Sequence, residues 1–485
     1  MNRKKERIVC LLIAMLLTTT SCSAVEEETS APAQIQETTA GTAETETEKD
    51  WLAALPDAAY DGFTFGILAV PEENCVGMQS FWTEEPTGEI VNDTVYSRNL
   101  YIEELYDIHI TYDGQTDVIH KTANLVQSGD ATYAIVSDEA KYHMAYSTKG
   151  IFRDLHAIQA IDLQAPWWYA DAVETLTIAD RLYAGYSDIN TQIMERVACE
   201  FVNLDMVTDH GMDNPYELVV NGEWTLDVMR EMAEMAAQDL DGDGKISMEE
   251  IGGYAVGIGS YNCLINGAGC PLATKDESGD VVLHYGSEAF VNAAEKVAAL
   301  VNNDAFTIYL NKNMWGIDLF SAGDVLFREA NLYVYNDLRE FDSYFGILPV
   351  PKYDAAQAEY HSLMNNSSMG ISIPSSVVDA EQIGTIVEAL NAYSYVYLKD
   401  AYYESMLKGK LTRDAQSADM LDIITSSIVV DYGVMNENTW GDVISSWLTS
   451  IQDHGAENLA SLAAANEAKF DALYQEILEA YQSMP

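Results

Sequence analysis

From residue 63 onward, short β-rich runs alternate with longer helical ones, and this alternation constrains the fold more than any other feature of the chain. Phe63 to Val70 (FTFGILAV), bounded by Gly62 and Pro71, reads as a strand. Ile90 to Tyr106 follows with Val91, Val95, Ile102, Leu105 and Tyr106 at helical spacing. Ile108 to Tyr112 and Tyr133 to Ser137 are further strand-like runs. Strands alternating with helices imply parallel sheet closed by crossover connections. Trp224 to Gln238 predicts a helix with Thr225 as N-cap, Phe290 to Val301 predicts another, and Tyr344 to Val350 is strand-like before Pro351. Gln382 to Leu407 and Ala456 to Tyr481 return to helical spacing. No repeat with a period of about 20 to 50 residues is present, so solenoids and propellers are set aside. A chain of 485 residues has room for two or three units.

Residues 1 to 21 join Arg3, Lys4, Lys5 and Arg7 to the apolar run Ile8 to Leu17, the layout of a secretory signal peptide. The run is too short to span a bilayer stably. Cys22, directly after Thr18-Thr19-Thr20-Ser21, resembles the lipobox cysteine of bacterial lipoproteins, which implies a lipid on Cys22 and a place on the outer face of the cell membrane. Thr19 stands where such motifs usually carry Leu, so ordinary secretion is the alternative. The stretch from 23 to 50 is dominated by Thr, Glu and Ala and cannot bury enough surface to offset its ordering entropy. Residues 22 to 59 are therefore expected to form a solvated tether, with the globular part beginning at 60.

With 77 acidic and 25 basic side chains, for a net charge of −52, the surface repels nucleic-acid phosphates and anionic headgroups. No nucleic-acid partner is expected. Cations are a different matter where carboxylates converge, and residues 239 to 250 (DLDGDGKISMEE) match the EF-hand calcium loop at its diagnostic positions. Asp239, Asp241 and Asp243 stand at positions 1, 3 and 5, Gly244 provides the turn, and Lys245 offers its carbonyl. Ser247 ligates directly or through water, and Glu250 closes the loop with two oxygens. Calcium takes about six to eight hard oxygens, which this set is built to supply. Gly252-Gly253 should curtail the exiting helix, so the expected Ca2+ role is structural. A dockerin-like scaffold would carry the loop twice, and one copy is present.

Signatures of catalysis are mostly missing. There is no H-E-x-x-H, G-x-S-x-G or P-loop, and Gly257-Ile258-Gly259 lacks the third glycine of a dinucleotide fingerprint. A glycosidase pair would need carboxylates about 5 to 10 Å apart, which sequence does not give. The chain is read as a non-enzyme, the alternative being a surface-anchored polysaccharide-processing enzyme. Trp167 and Trp168, within the run Pro166 to Tyr169, and Trp82, Trp315 and Trp440 in loop-like settings offer flat faces suited to sugar rings. Packing is the competing role for Trp167 and Trp168, and Trp224 at a helix start is assigned to the core. Cys263 and Cys270 flank a Gly-rich loop, where a disulfide bridge and free thiols are both open.

The chain resembles the extracellular solute-binding proteins of bacterial ABC importers, in the lipoprotein branch related to sugar binders. The likeness is carried by GEIVNDTVYSRN (88 to 99), GIFRDLHAIQAIDLQAPWW (150 to 168), RLYAGYSDIN (181 to 190) and FVNLDMV (201 to 207). PYELVVNGEWTLDVM (215 to 229), DLDGDGKISMEEIGGYAVG (239 to 257), FGILPVPKYDAAQAEY (345 to 360) and AYYESMLKGKLTRDAQSADML (401 to 421) continue it. The resemblance implies an α/β, two-lobe periplasmic-binding-protein-like fold (type II) with hinge-crossing strands at Cys199 to Leu204 and Gly346 to Pro351. Lobe one would take 60 to 198 plus 346 to 415, and lobe two 199 to 345 plus 416 to 485. It implies a monomer that encloses a small solute, a mono- or oligosaccharide, and delivers it to an ABC permease. By the same analogy Asp188 faces the cleft or serves as an N-cap, Trp167 and Trp168 stand near its mouth, Trp82 follows the first strand, and Trp315 lies opposite. Asn92, Asp93 and Arg98 contact ligand or serve as caps and salt bridges, and Arg413 pairs with Asp414.

Overall fold

The computed structural model describes residues 50–74, 80–310, 317–338, 344–408 and 416–484. Residues 1–49, which hold the expected leader, Cys22 and most of the expected tether, lie outside the described residues, as do Trp315, Arg413 and Asp414. Among those described, no helix is long and apolar enough to cross a membrane.

Among the described residues, nine strands form the two larger sheets. In chain order they are β1 (Phe63–Ala69), β2 (Ile108–Gly114), β3 (Ile135–Glu139), β4 (Ala198–Asn203), β5 (Gly252–Val256), β6 (Thr307–Tyr309), β7 (Val325–Asn331), β8 (Phe345–Leu348) and β9 (Met369–Ser372). The first sheet has the order β9-β3-β1-β2 and the second β8-β4-β7-β5-β6. Helix α1 (Ile90–Tyr106) connects β1 to β2 and α2 (Val118–Ser128) connects β2 to β3, so β1 pairs in parallel with both neighbours. The expected alternation is thus realised as right-sized crossover units. α1 presses Val91, Val95, Ile102 and Tyr106 inward and stops at Asp107, whose φ of 51° is left-handed.

Register decides which strand ends share a side. β5 runs parallel to β6 and β7, while β4 is antiparallel to β7 (Ala198 opposite Asn331) and β8 antiparallel to β4 (Phe345 opposite Asn203). The chain leaves the first sheet after β3, enters the second along β4, and goes back after β8 to β9, which is antiparallel to β3. Entry and exit strands therefore lie side by side. The exit ends of β5 to β8 and the start of β4 point one way, as do the ends of β1 to β3 with the start of β9.

Helix α3 (Ala140–Ser147) follows β3, and α4 (Leu226–Ala236) begins as expected at Thr225, whose hydroxyl accepts the Val228 N–H at 3.4 Å. α4 lies so close to β5 that a Cβ on Gly253 would stand 2.1 Å from the Ala233 carbonyl oxygen. Gly252-Gly253 does not merely end a helix: no exiting helix forms, and the pair opens β5. α5 (Gly259–Gly267) carries Cys263; its thiol and that of Cys270 are both free, so the bridge is not formed. Helices α6 (Glu288–Val301) and α7 (Ala380–Tyr393) close the two layers. The globule starts earlier than residue 60: Trp51 sets its ring edgewise to Trp167 at 5.1 Å, and Leu52 and Leu55 pack against the core.

The last helix, α8 (Leu459–Ser483), touches both layers. Its Asn466 donates to the Tyr285 hydroxyl at 2.8 Å, just ahead of α6. Its Tyr481 stands edge-on to Tyr183 at 4.9 Å, beside Gly185, which exchanges main-chain hydrogen bonds with Ile371 of β9.

Candidate functional site

Open α/β sheets present ligand sites outside the carboxyl ends of their strands. In the first sheet, the end of β2 supplies Tyr112 and Asp113. Asp113 accepts from Lys121 Nζ at 2.6 Å and from the Tyr133 hydroxyl. Burial works against the charge, yet hydrogen bonds from Lys121, Tyr133 and Gln115 hold the Asp113 carboxyl down at about 2. Trp82 lies flat on Tyr112, with ring centroids 6.0 Å apart and planes 3° off parallel, and is 37% exposed. It is an aromatic face partly open to solvent at the end of the strand that also carries Asp113.

The second contribution comes from where the two sheets join. Arg196 lies two residues before β4, and its carbonyl accepts the Asn365 N–H at 2.9 Å. Its guanidinium donates to Ser367 Oγ at 2.8 Å, two residues before β9, and to Gln192 Oε1 at 3.3 Å. The same group lies 5.4 Å from the ring centroid of Tyr333, in the helical turn Leu332–Asn336 that follows β7. One cation thus binds a segment of each sheet. Tyr335 adds a second tie, donating to the Ser405 carbonyl at 3.0 Å. Nothing local in the sequence marks Arg196 or Tyr333; the signal is tertiary, the convergence of strand ends.

The sequence-predicted residues divide. Trp167 and Trp168 are buried, and both indole N–H groups donate to the Glu388 carboxylate, at 3.1 and 2.8 Å. Trp51 and Tyr395 pack on Trp167, while Gly185 leaves room for the Trp168 ring, which would meet a Cβ at 2.4 Å. Packing, not a cleft mouth, takes up these rings. Burial raises the Glu388 carboxyl to about 8 despite the two indole donors. Asp188 is likewise interior: it is 4% exposed, burial lifts it to about 6, and the Tyr169 hydroxyl is its hydrogen-bond partner. It neither faces an opening nor caps a helix. Asp93 accepts the Thr87 and Gly88 N–H groups and Asn92 reaches Thr83, so both organise the turn before α1. Trp440 is fully buried against Phe470. Trp82 remains as an exposed aromatic, and Trp315 lies outside the described residues.

The carboxylates that register sets opposite one another, Glu200 and Glu329, are committed inside the second sheet. Glu200 is fully buried and accepts from the Tyr254 hydroxyl at 2.9 Å, and Glu329 accepts from Ser260 at 2.7 Å.

The 239 to 250 segment folds as a closed acidic loop. Carboxylate oxygens of Asp239, Asp241 and Asp243 lie within 4.8 Å of one another. Asp239 accepts the Gly242 and Gly244 N–H groups, with Gly244 at φ +85°, a conformation that glycine adopts without strain. Glu250 reaches back to the Leu240 and Ser247 N–H groups at 2.7 and 2.8 Å. Lys245 directs its amine outward to Asp304, leaving its carbonyl to the loop. This donor set fits a hard cation of calcium size.

The sequence matches no protein-family model and no curated protein. The fold, however, is that of the two-lobe substrate-binding proteins of ABC transporters. An ABC substrate-binding protein from Listeria monocytogenes, in complex with cycloalternan, aligns over its whole length with 85% of this chain (TM-score 0.55, 12% identity). The GacH receptor of Streptomyces glaucescens, solved unliganded and with acarbose, aligns over 99% of its length with 85% of the chain (TM-score 0.54, 13% identity). A sugar transporter from Rhizobium etli in an open conformation covers 87% of the chain with all of its own (TM-score 0.55, 15% identity). At such identities the likeness defines the fold.

Proposed function

We propose that this protein is the solute-binding component of an ABC importer, held on the outer face of the membrane by a lipid on Cys22. It captures a mono- or oligosaccharide between its two lobes and hands it, unaltered, to a permease. The observation that carries this reading is the junction itself: crossing strands β4 and β8 lie side by side, and segments of both sheets converge on Arg196. Hinge closure about such a junction presents a changed surface to a membrane partner without any chemistry. Structural neighbours crystallised with cycloalternan and acarbose support a saccharide. Trp82, exposed on Tyr112, is the aromatic proposed to meet it.

The same proposal places a structural Ca2+ on Asp239, Asp241, Asp243, the Lys245 carbonyl, Ser247 and Glu250. Bound at a hundred times its Kd, such an ion adds about 2.7 kcal/mol to stability.

Calorimetric titration of the purified monomer with neutral and acidic saccharides tests the main reading. Saturable one-to-one binding without product is expected, whereas release of cleaved glycan would install the polysaccharide-processing enzyme instead. Chelation should lower the thermal midpoint of the native protein and leave a D239A/E250A variant unmoved; an equal drop in both removes calcium from the loop.

A further inference from the structure

Among the described residues, buried guanidinium groups are, with one exception, richly provided for. Arg98 is 1% exposed and has five acceptors: the carbonyls of Ser80, Phe81 and Ile189, Ser394 Oγ and Asn99 Oδ1. Arg328 is nearly as deep, at 6% exposed, on β7 opposite Phe201 and Ala255. Its Nη1 reaches a main-chain oxygen, that of its neighbour Glu329, at 2.8 Å, and its buried Nε has no acceptor. The carboxylates of Glu329, Glu200 and Asp337 act on it through space, yet among the described residues none forms an ion pair with it. Burying an uncompensated charge is among the most unfavourable arrangements a fold can hold. A chain with 77 acidic side chains to 25 basic ones had every opportunity to pair it.

The position explains the exception. β7 ends three residues later and turns into Leu332–Asn336, so the charges of Arg328 and Arg196 both act on the Tyr333 phenol at the junction of the sheets. Two guanidinium groups thus stand near one phenol, with Arg328 among carboxylates yet without an acceptor for its Nε, at the place proposed to receive solute. We infer that Arg328 is held for an oxyanion of the solute, and that the captured saccharide is acidic, bearing a carboxylate that pairs with this guanidinium when the lobes close. Arg and carboxylate match in planar, two-pronged geometry, and pairing inside a closed, dry junction is far stronger than at a surface. The global charge of −52 opposes such a solute only at long range, where salt screens it.

This inference rests on the solute-binding reading, and the test separates the two. Uronate oligosaccharides (galacturonate, mannuronate and glucuronate trimers), neutral trisaccharides (maltotriose and mannotriose) and inorganic phosphate are titrated into the purified protein, into Arg328→Gln and into Arg328→Lys. The expectation is that one uronate binds at least tenfold tighter than any neutral sugar, that R328Q loses this advantage, and that R328K keeps part of it. The ligand-free R328Q protein should melt no lower than the native one, because an unpaired buried charge has been removed. A lower midpoint would make Arg328 a structural residue and overturn the inference. Tight binding of neutral sugars alone, unmoved by R328Q, would overturn it while leaving the transport reading intact. Phosphate binding as tightly as the best uronate would overturn the saccharide assignment. Silence from every saccharide would end both.

Discussion

Replacing Arg98 by Met asks how much of the first layer depends on one guanidinium. Arg98 projects from α1 into a space where two separate segments, 80–81 and 189, turn main-chain carbonyls toward it, and Asn99 adds its own bond to Phe81. Burial lowers its pKa to about 9, so the group is still a cation at pH 7 and its hydrogen bonds are charge-assisted. Such bonds contribute about 1.5 to 3 kcal/mol each, but they are not additive, and Met no longer requires a charge to be desolvated. Set against that relief are three carbonyls left in a dry interior at roughly 1 to 3 kcal/mol apiece. The balance is a net loss of about 3 to 5 kcal/mol for R98M. Arg98→Lys keeps the charge but offers at most three donors from a single point, so about half that loss is expected. Urea unfolding followed by fluorescence measures both. Trp82, which follows directly after Phe81, should also lose its fixed environment in R98M before the global transition. An R98M protein within about 1 kcal/mol of the native one would refute the reasoning, because the carbonyls would then be satisfied without the cation.

Glu388 and Trp82 give two further expectations. Glu388 titrates near 8 in the folded protein against an ordinary value of 4.5, so folding favours its protonated form. Stability from this group is therefore full below the ordinary carboxylate range and declines as pH rises from there to about 8. The slope is at most about 1.4 kcal/mol per pH unit, and the difference between native protein and E388Q, measured in urea at pH 5 to 8, isolates it. Parallel curves would show that the carboxyl is ionised throughout. Trp82→Ala removes a partly exposed ring and should cost less than about 1 kcal/mol of stability while weakening saccharide binding several-fold. Unchanged affinity in calorimetry would take Trp82 out of the site.

What could be read from the chain was whatever physics is local. The β1 to β3 alternation, the Thr225 cap and the closed turn of the acidic loop at 239 to 250 are settled by neighbours within a few residues, and each appears close to where the pattern placed it. Roles that depend on a distant partner were not visible. Trp167 and Trp168 present the same aromatic pair to the reader whether they meet a sugar or Glu388, and Glu388 is some 220 positions away. The resemblance implies that Asp188 faces a cleft or caps a helix, while Tyr169 holds it inside. Gly252-Gly253 signals that a helix cannot continue, but the requirement it answers is the close approach of α4 to a strand. Arg196 and Arg328 belong to no motif; only the register of β4 with β7 brings their surroundings together.

Tyr285 and Tyr183 are gripped by one rod: between Asn466 and Tyr481 the terminal helix spans about 22 Å of stiff backbone. Any rocking of one layer against the other must slide that rod, bend it or lift Tyr481 from its seat. On the proposed reading, the travel of such a gate would be limited by a segment remote from the cargo, with the final turn as its doorstop.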